Sequence, residues 1–254
     1  MTELADALDL SLEVGELVQF SGGHTARVAE HMNRMAHALG AETSQPAISS
    51  VNVMMTVSGG GQTLTAVRQA SHFGINFSML SALRALVSDT EQHGLTPPQV
   101  RSRLTLIRNA GKPYPTWLVM AALGGSSAAF AALFGATGLG IGLTFLGGLA
   151  GAWARHLLVG RRKKPFVSVT AAAFVAAIIV AGGAQLLDLG TAAAPALAAS
   201  TLFLVPGVPM LNGTADLLTA HYLNGVVRLT MSLVIITSAA VGLSAAVTLV
   251  KALA

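Results

Sequence analysis

From Trp117 onward the chain is a succession of long apolar runs, and nothing else in the sequence restricts its fold so strongly. Five runs, 117–136, 139–159, 166–187, 192–211 and 226–250, each approach the length that a hydrocarbon core requires. A soluble core does not call for five such stretches in one chain. Only 10% of the 254 residues are charged and 53% are hydrophobic, whereas a soluble domain carries about 25% charged residues. The mean hydropathy of +0.65 agrees. The expected fold class is an α-helical integral membrane protein with about five transmembrane helices, preceded by a small N-terminal cytoplasmic α/β domain.

The boundary falls near residue 112. Residues 1–112 hold eight Lys/Arg and nine Asp/Glu, and residues 113–254 hold seven and two. The basicity therefore belongs to membrane-flanking loops, and no nucleic-acid surface is expected. Arg101, Arg103, Arg108 and Lys112 precede the first run, and "GRRKKP" (160–165) joins the second to the third. The positive-inside rule places both groups in the cytoplasm, with Arg228, and leaves Lys251 outside. Glu3, Asp6, Asp9, Glu13 and Glu16 begin the chain without a Lys or Arg, the reverse of a signal peptide. A multi-pass protein of a bacterial inner membrane, N-terminus in and C-terminus out, is expected.

Within residues 1–112, Leu4, Leu8 and Leu12, with Leu10, Val14 and Leu17, predict a helix with one buried face. A second helix should follow Ser21-Gly22-Gly23 and stop at Gly40. "ISSVNVMMTVS" (48–58) and "QTLTAVRQA" (62–70) predict a hairpin, and helices over 76–93 and 97–109 complete the domain. In the apolar half, Gly138-x-x-x-Gly142, Gly147-x-x-x-Gly151 and Gly124-Gly125-Ser126-Ser127 would let helices approach closely.

Several chemistries find no support. Cysteine is absent, which removes disulfides and thiolate sites. "VSGGGQTLTAVRQA" (57–70) is similar to an ABC-ATPase signature, but no phosphate-binding lysine loop accompanies it, so a glycine turn is the better reading. His24, His31 and His37 lack metal-ligand spacing and should lie on a polar helix face with Arg27, Glu30 and Arg34. No hydrolase or kinase signature occurs. No enzyme activity, cofactor or metal is expected.

The informative stretch is "LVPGVPMLNGTAD" (204–216). Pro206-Gly207-Val208-Pro209 cannot continue a regular helix, and freed backbone at membrane depth is tolerated only inside protein or beside water. Asn212, Asp216, His221 and Arg228 follow, and charge in a membrane segment usually serves function. Asp216 or His221 could carry a coupled proton. Arg228 could attract a carboxylate or serve as a topology anchor. Arg155, His156 and Asp188 lie near the ends of runs, where snorkelling accounts for them.

"LVPGVPMLNGTADLLTAHYLNGVVRL" (204–229) resembles the characteristic segment of the threonine/serine exporter (ThrE) family, matching at Pro206, Gly207, Pro209, Asn212, Asp216, Gly225 and Arg228. Gly22, Gly23, Thr25, Arg27 and Val28 match a second segment, and Tyr114-Pro115 a third. His24 and His221 stand where many members carry acidic residues. The resemblance implies a proton-coupled secondary exporter of threonine/serine-type amino acids or a dicarboxylate such as succinate. Full-length members resemble a fusion of this half with a second membrane half. This chain therefore resembles the larger subunit of a split, two-component exporter. Its partner would be a small membrane subunit with its own Pro-Gly motif, and the chain could also self-associate. A second function class is a membrane scaffold or regulator whose cytoplasmic domain binds partners.

Overall fold

The computed structural model describes residues 3–70, 74–111, 114–160 and 165–253. Lys112 and the basic residues 161–164, on which part of the topology expectation rests, lie outside them. Packing divides the chain into two compact units, Met1–Pro113 with Gly207–Thr230, and Tyr114–Pro206 with Met231–Ala254.

The first unit is built around α1 (Glu3–Phe20). It is joined by α2 (Thr25–Ala38), α3 (Phe77–His93) and α4 (Pro97–Asn109), and by the antiparallel sheet β1–β2–β3 (Thr43–Ile48, Asn52–Gly59, Gln62–Gln69). α1 touches the sheet as well as α2, α3 and α4. This corrects the expected single buried face: Ser11 and Glu13 are buried along with Leu8, Leu10, Leu12 and Val14, because a helix at the centre is covered on all sides. Val53, Met55 and Val57 on β2 complete that core.

The hairpin turns at Gly60-Gly61, both with positive φ, between the paired residues Gly59 and Gln62. That is the two-residue turn that matches strand twist, and it needs glycine. β1 was not expected from the sequence. It carries Pro46, whose missing N–H confines it to an edge strand. The strand expected to start at 48 starts at Asn52, because Ser49 turns the chain by accepting Asn52 N–H on Oγ at 3.0 Å.

Carboxylates of α1 neutralise much of the unit's positive charge. Asp9 bonds Arg68 at 2.6 Å and Arg101 at 3.0 Å, and Glu13 bonds Arg108 at 2.9 Å. Burial tends to raise the Asp9 pKa, but its hydrogen bonds to Arg101 and Arg68 outweigh this and hold it below the usual carboxylate value. Arg103 pairs with Asp89 at 2.6 Å. Arg101, Arg103 and Arg108, which precede the first apolar run, are thus paired with carboxylates of the same unit.

The second unit contains α5 (Thr116–Leu133), α6 (Gly138–Gly160), α7 (Pro165–Leu186), α8 (Ala194–Ser200) and most of α10 (Tyr222–Leu253). Thr116–Leu133, Phe166–Leu186 and Tyr222–Leu253 are long and apolar enough to cross a membrane. A fourth span arises if Gly190–Leu204 and Gly207–Leu218 count together. α6 is 23 residues long, but its glycines, Arg155 and His156 make it less apolar. The run 192–211, expected as one span, is interrupted. It consists of a 3-10 turn, α8, a second 3-10 turn at Leu202–Leu204 and then a new helix.

Small residues set the spacing in this unit. A Cβ at Gly124 would stand 2.9 Å from Phe145 O, at Gly147 2.7 Å from Ala176 O, and at Gly151 2.8 Å from Ala172 O. The Gly147/Gly151 pair thus seats α6 against α7, whereas Gly138 and Gly142 face open space. Asp188, at φ 52, terminates α7 in a left-handed cap, with Leu189 N–H on Ala184 O at 2.9 Å.

Candidate functional site

Pro206 and Pro209 mark the start of a helix. Val205 is extended, and α9 (Gly207–Leu218) begins immediately after Pro206. Pro209 falls in the first turn, where backbone N–H groups have no intrahelical partner to lose. α9 ends at a left-handed Ala220 (φ 63), where His221 N–H reaches Asp216 O at 2.8 Å and Ala220 N–H reaches Leu217 O at 3.2 Å. The chain then reverses into α10. Gly225 lets the helices meet, since a Cβ there would be 2.9 Å from Gly213 O.

This helical hairpin packs on the loop Ser21–Thr25, which joins α1 to α2. Gly22 ends α1 with φ 93, a conformation that favours glycine, and its carbonyl accepts from Asn212 Nδ2 at 2.7 Å. Thr25 opens α2, and its N–H donates to Asp216 Oδ1 at 2.8 Å. The carboxylate therefore sits on a helix N-terminus, where the dipole favours negative charge. Arg228 Nε lies 3.2 Å from Asp216 Oδ2, and Arg228 Nη2 donates to Gly23 O at 3.0 Å. Asp216 is fully buried and Arg228 nearly so.

Asn224 completes the contact: its Nδ2 donates to Thr25 Oγ1 at 3.1 Å and to Ile48 O at 2.9 Å, while its Oδ1 accepts from Ser50 Oγ at 3.2 Å. Sequence reasoning missed Asn224. An asparagine beside a glycine in an apolar stretch was the available signal. The network joins residues some 190 to 205 positions apart, from Gly22, Gly23 and Thr25 to Asn212, Asp216, Asn224 and Arg228.

The other expected site residues play different parts. Pro206, Gly207 and Pro209 shape the start of α9. His221 is half-exposed at the turn, its Nδ1 3.0 Å from Thr219 Oγ1, and is not drawn to the Asp216 carboxylate. His24 precedes α2, its Nδ1 accepting from Arg27 N at 3.4 Å. Burial, reinforced by the Arg27 charge, holds its pKa below the ordinary imidazole value. His31 departs from the expected polar face: it is 4% exposed, because that side of α2 packs against α3. Its Nδ1 donates to Arg27 O at 2.9 Å, and burial lowers its pKa too.

Helices long and apolar enough to cross a membrane, together with a buried acid–base pair where α9 turns into α10, fit a membrane protein, and the family match makes its class that of a transporter. The chain belongs to the threonine/serine exporter (ThrE) family: the family profile described as "Putative threonine/serine exporter" matches residues 9–250. It is similar to an Escherichia coli (strain K12) protein named "Probable succinate transporter subunit YjjP", with 30% identity over 240 residues, 94% of this chain and 93% of the relative. It is also similar to the Klebsiella aerogenes protein of the same name, with 30% identity over 228 residues, 90% and 88% of the two chains. No solved structure matches the chain.

Proposed function

We propose that this chain is the larger subunit of a proton-coupled secondary exporter of a small carboxylate-bearing metabolite, a dicarboxylate such as succinate or a threonine/serine-type amino acid. The observation that carries this reading is the buried pair of Asp216 and Arg228 on the loop before α2. Arg228 holds a carboxylate, that of Asp216, in the way it would hold a substrate's. A proton on Asp216 would weaken its hold on Arg228 and on the N-terminus of α2, freeing the guanidinium for a substrate carboxylate. The substrate carboxylate would then replace the ionised Asp216 as the partner of Arg228, so that proton and substrate binding are linked through one pair, which is what coupling requires. His221, half-exposed at the turn, would relay protons to and from that site.

The relatives' names support both the substrate class and the word subunit. The membrane domain begins near residue 113 with five spans, the N-terminus is cytoplasmic, and a second membrane subunit supplies the missing half of the pathway. Efflux is the test. Cells loaded with labelled succinate, threonine or serine, and carrying this chain with its partner, should lose label faster than cells lacking it. Equal efflux for all three would reject the transporter reading and favour a scaffold.

A further inference from the structure

A second polar site lies away from the Asp216–Arg228 network, in a groove of about 280 Å³ between α2 and α3, lined by Arg27, Glu30, His31, Arg34, Leu80, Ser81 and Arg84. His31 and Leu80 are buried and form its floor, while Arg27 and Arg84 are exposed at its rim. Arg34 is fixed by Glu91, Nε to Oε1 at 2.8 Å and Nη2 to Oε2 at 2.5 Å, and is 3.4 Å from Glu30. The guanidiniums of Arg27 and Arg84 make no ion pair or hydrogen bond among the described residues. Three guanidiniums against the single Glu30 carboxylate leave two uncompensated positive charges on the lining.

The floor adds an independent constraint. His31 Nδ1 must carry the ring proton, because its partner, Arg27 O, can only accept. Nε2 is then an acceptor, buried and without a hydrogen-bond partner among the described residues. A buried orphan acceptor costs free energy unless a donor reaches it. The groove thus presents guanidinium donors at the rim, the Ser81 hydroxyl on its wall and one acceptor at the base. Its volume suits a small ligand, below the range of about 300–1,000 Å³ typical of drug-sized ones.

We propose that this groove binds a small oxyanion of hydrogenphosphate type, with two negative charges for Arg27 and Arg84 and one O–H for His31 Nε2. Guanidinium matches tetrahedral oxyanions through paired hydrogen bonds. The O–H separates hydrogenphosphate from sulfate, which has the same shape and charge but no proton at neutral pH. The site is independent of the transport reading.

The test uses the full chain purified in detergent, with melting followed as phosphate or sulfate is added against chloride of equal ionic strength. Phosphate should raise the melting temperature saturably, and several-fold less of it than sulfate should be needed for half-maximal effect. Arg27→Gln and Arg84→Gln should each raise that concentration on the order of tenfold. Arg103→Gln, at a residue paired elsewhere with Asp89, should not. The half-maximal concentration stays readable even where a variant melts earlier. No saturable phosphate effect, equal response to sulfate, or unchanged affinity in both groove variants would overturn the proposal.

Discussion

Asp216 of α9 and Arg228 of α10 meet at 3.2 Å, and the other Asp216 oxygen holds the first backbone N–H of α2 at 2.8 Å. Removing one partner of such a buried pair leaves the other charge uncompensated, a loss of about 3–5 kcal/mol, whereas neutralising both is much less costly. Asp216→Asn and Arg228→Gln should each melt well below the wild type. The double variant should recover most of the difference, measured by thermal unfolding in detergent. Additive losses would mean that the two side chains do not act as a pair.

Asn224 fastens α10 to three separate places, the Thr25 hydroxyl, the Ile48 carbonyl and the Ser50 hydroxyl. Asn224→Ala leaves these groups without their partner and should cost about 1–3 kcal/mol. Unfolding monitored by circular dichroism measures it, and an unchanged midpoint would show that these contacts contribute little.

Much of the first unit was legible in the sequence because its signals are local. Leucine spacing marked α1, Gly22-Gly23 and Gly40 bracketed α2, and the glycine turn located the hairpin. β1 escaped because a polar, proline-bearing edge strand carries no alternation of its own. Burial of His31 depends on α3, about fifty residues further on, and no local pattern reports it. The site residues were visible singly as charges in an apolar context. Their assembly on the Ser21–Thr25 loop was not, since it depends on contacts between distant parts of the chain. The same long-range packing placed 207–230 with the N-terminal residues.

Ala220 adopts φ 63, a left-handed conformation that costs a residue with a Cβ about 1–2 kcal/mol. Ala220→Gly should stabilise the protein by about 0.5–1 kcal/mol after the added freedom of the unfolded chain is subtracted. The check is a higher melting temperature with unchanged helix content.

Gly147 and Gly142 lie on the same helix but in different surroundings. Gly147→Val drives side-chain atoms into the Ala176 backbone and should lower the yield of monodisperse protein in gel filtration. Gly142→Ala meets nothing within 4 Å and should be tolerated. Equal yields would reject the proposed α6–α7 contact.

His24 and His31 both have pKa values held below the ordinary imidazole value, with burial the larger cause. The unfolded chain therefore binds these protons more readily. Their contribution to stability is complete above about pH 6.5 and is lost as pH falls through the lowered folded-state values. Melting temperature should fall between pH 7.5 and 5.5. His24→Asn, which keeps a capping acceptor that does not titrate, should fall less; an identical decline would remove His24 from the effect.

The central claim is that Asp216 and Arg228 carry transport as well as hold the fold. The most direct measurement is efflux of labelled succinate, threonine and serine from cells expressing the partner together with Asp216→Asn/Arg228→Gln, at matched membrane abundance. The account predicts a folded, membrane-inserted protein whose efflux falls to the background of cells lacking the chain. Wild-type efflux from that double variant would contradict it and leave the pair a structural clasp.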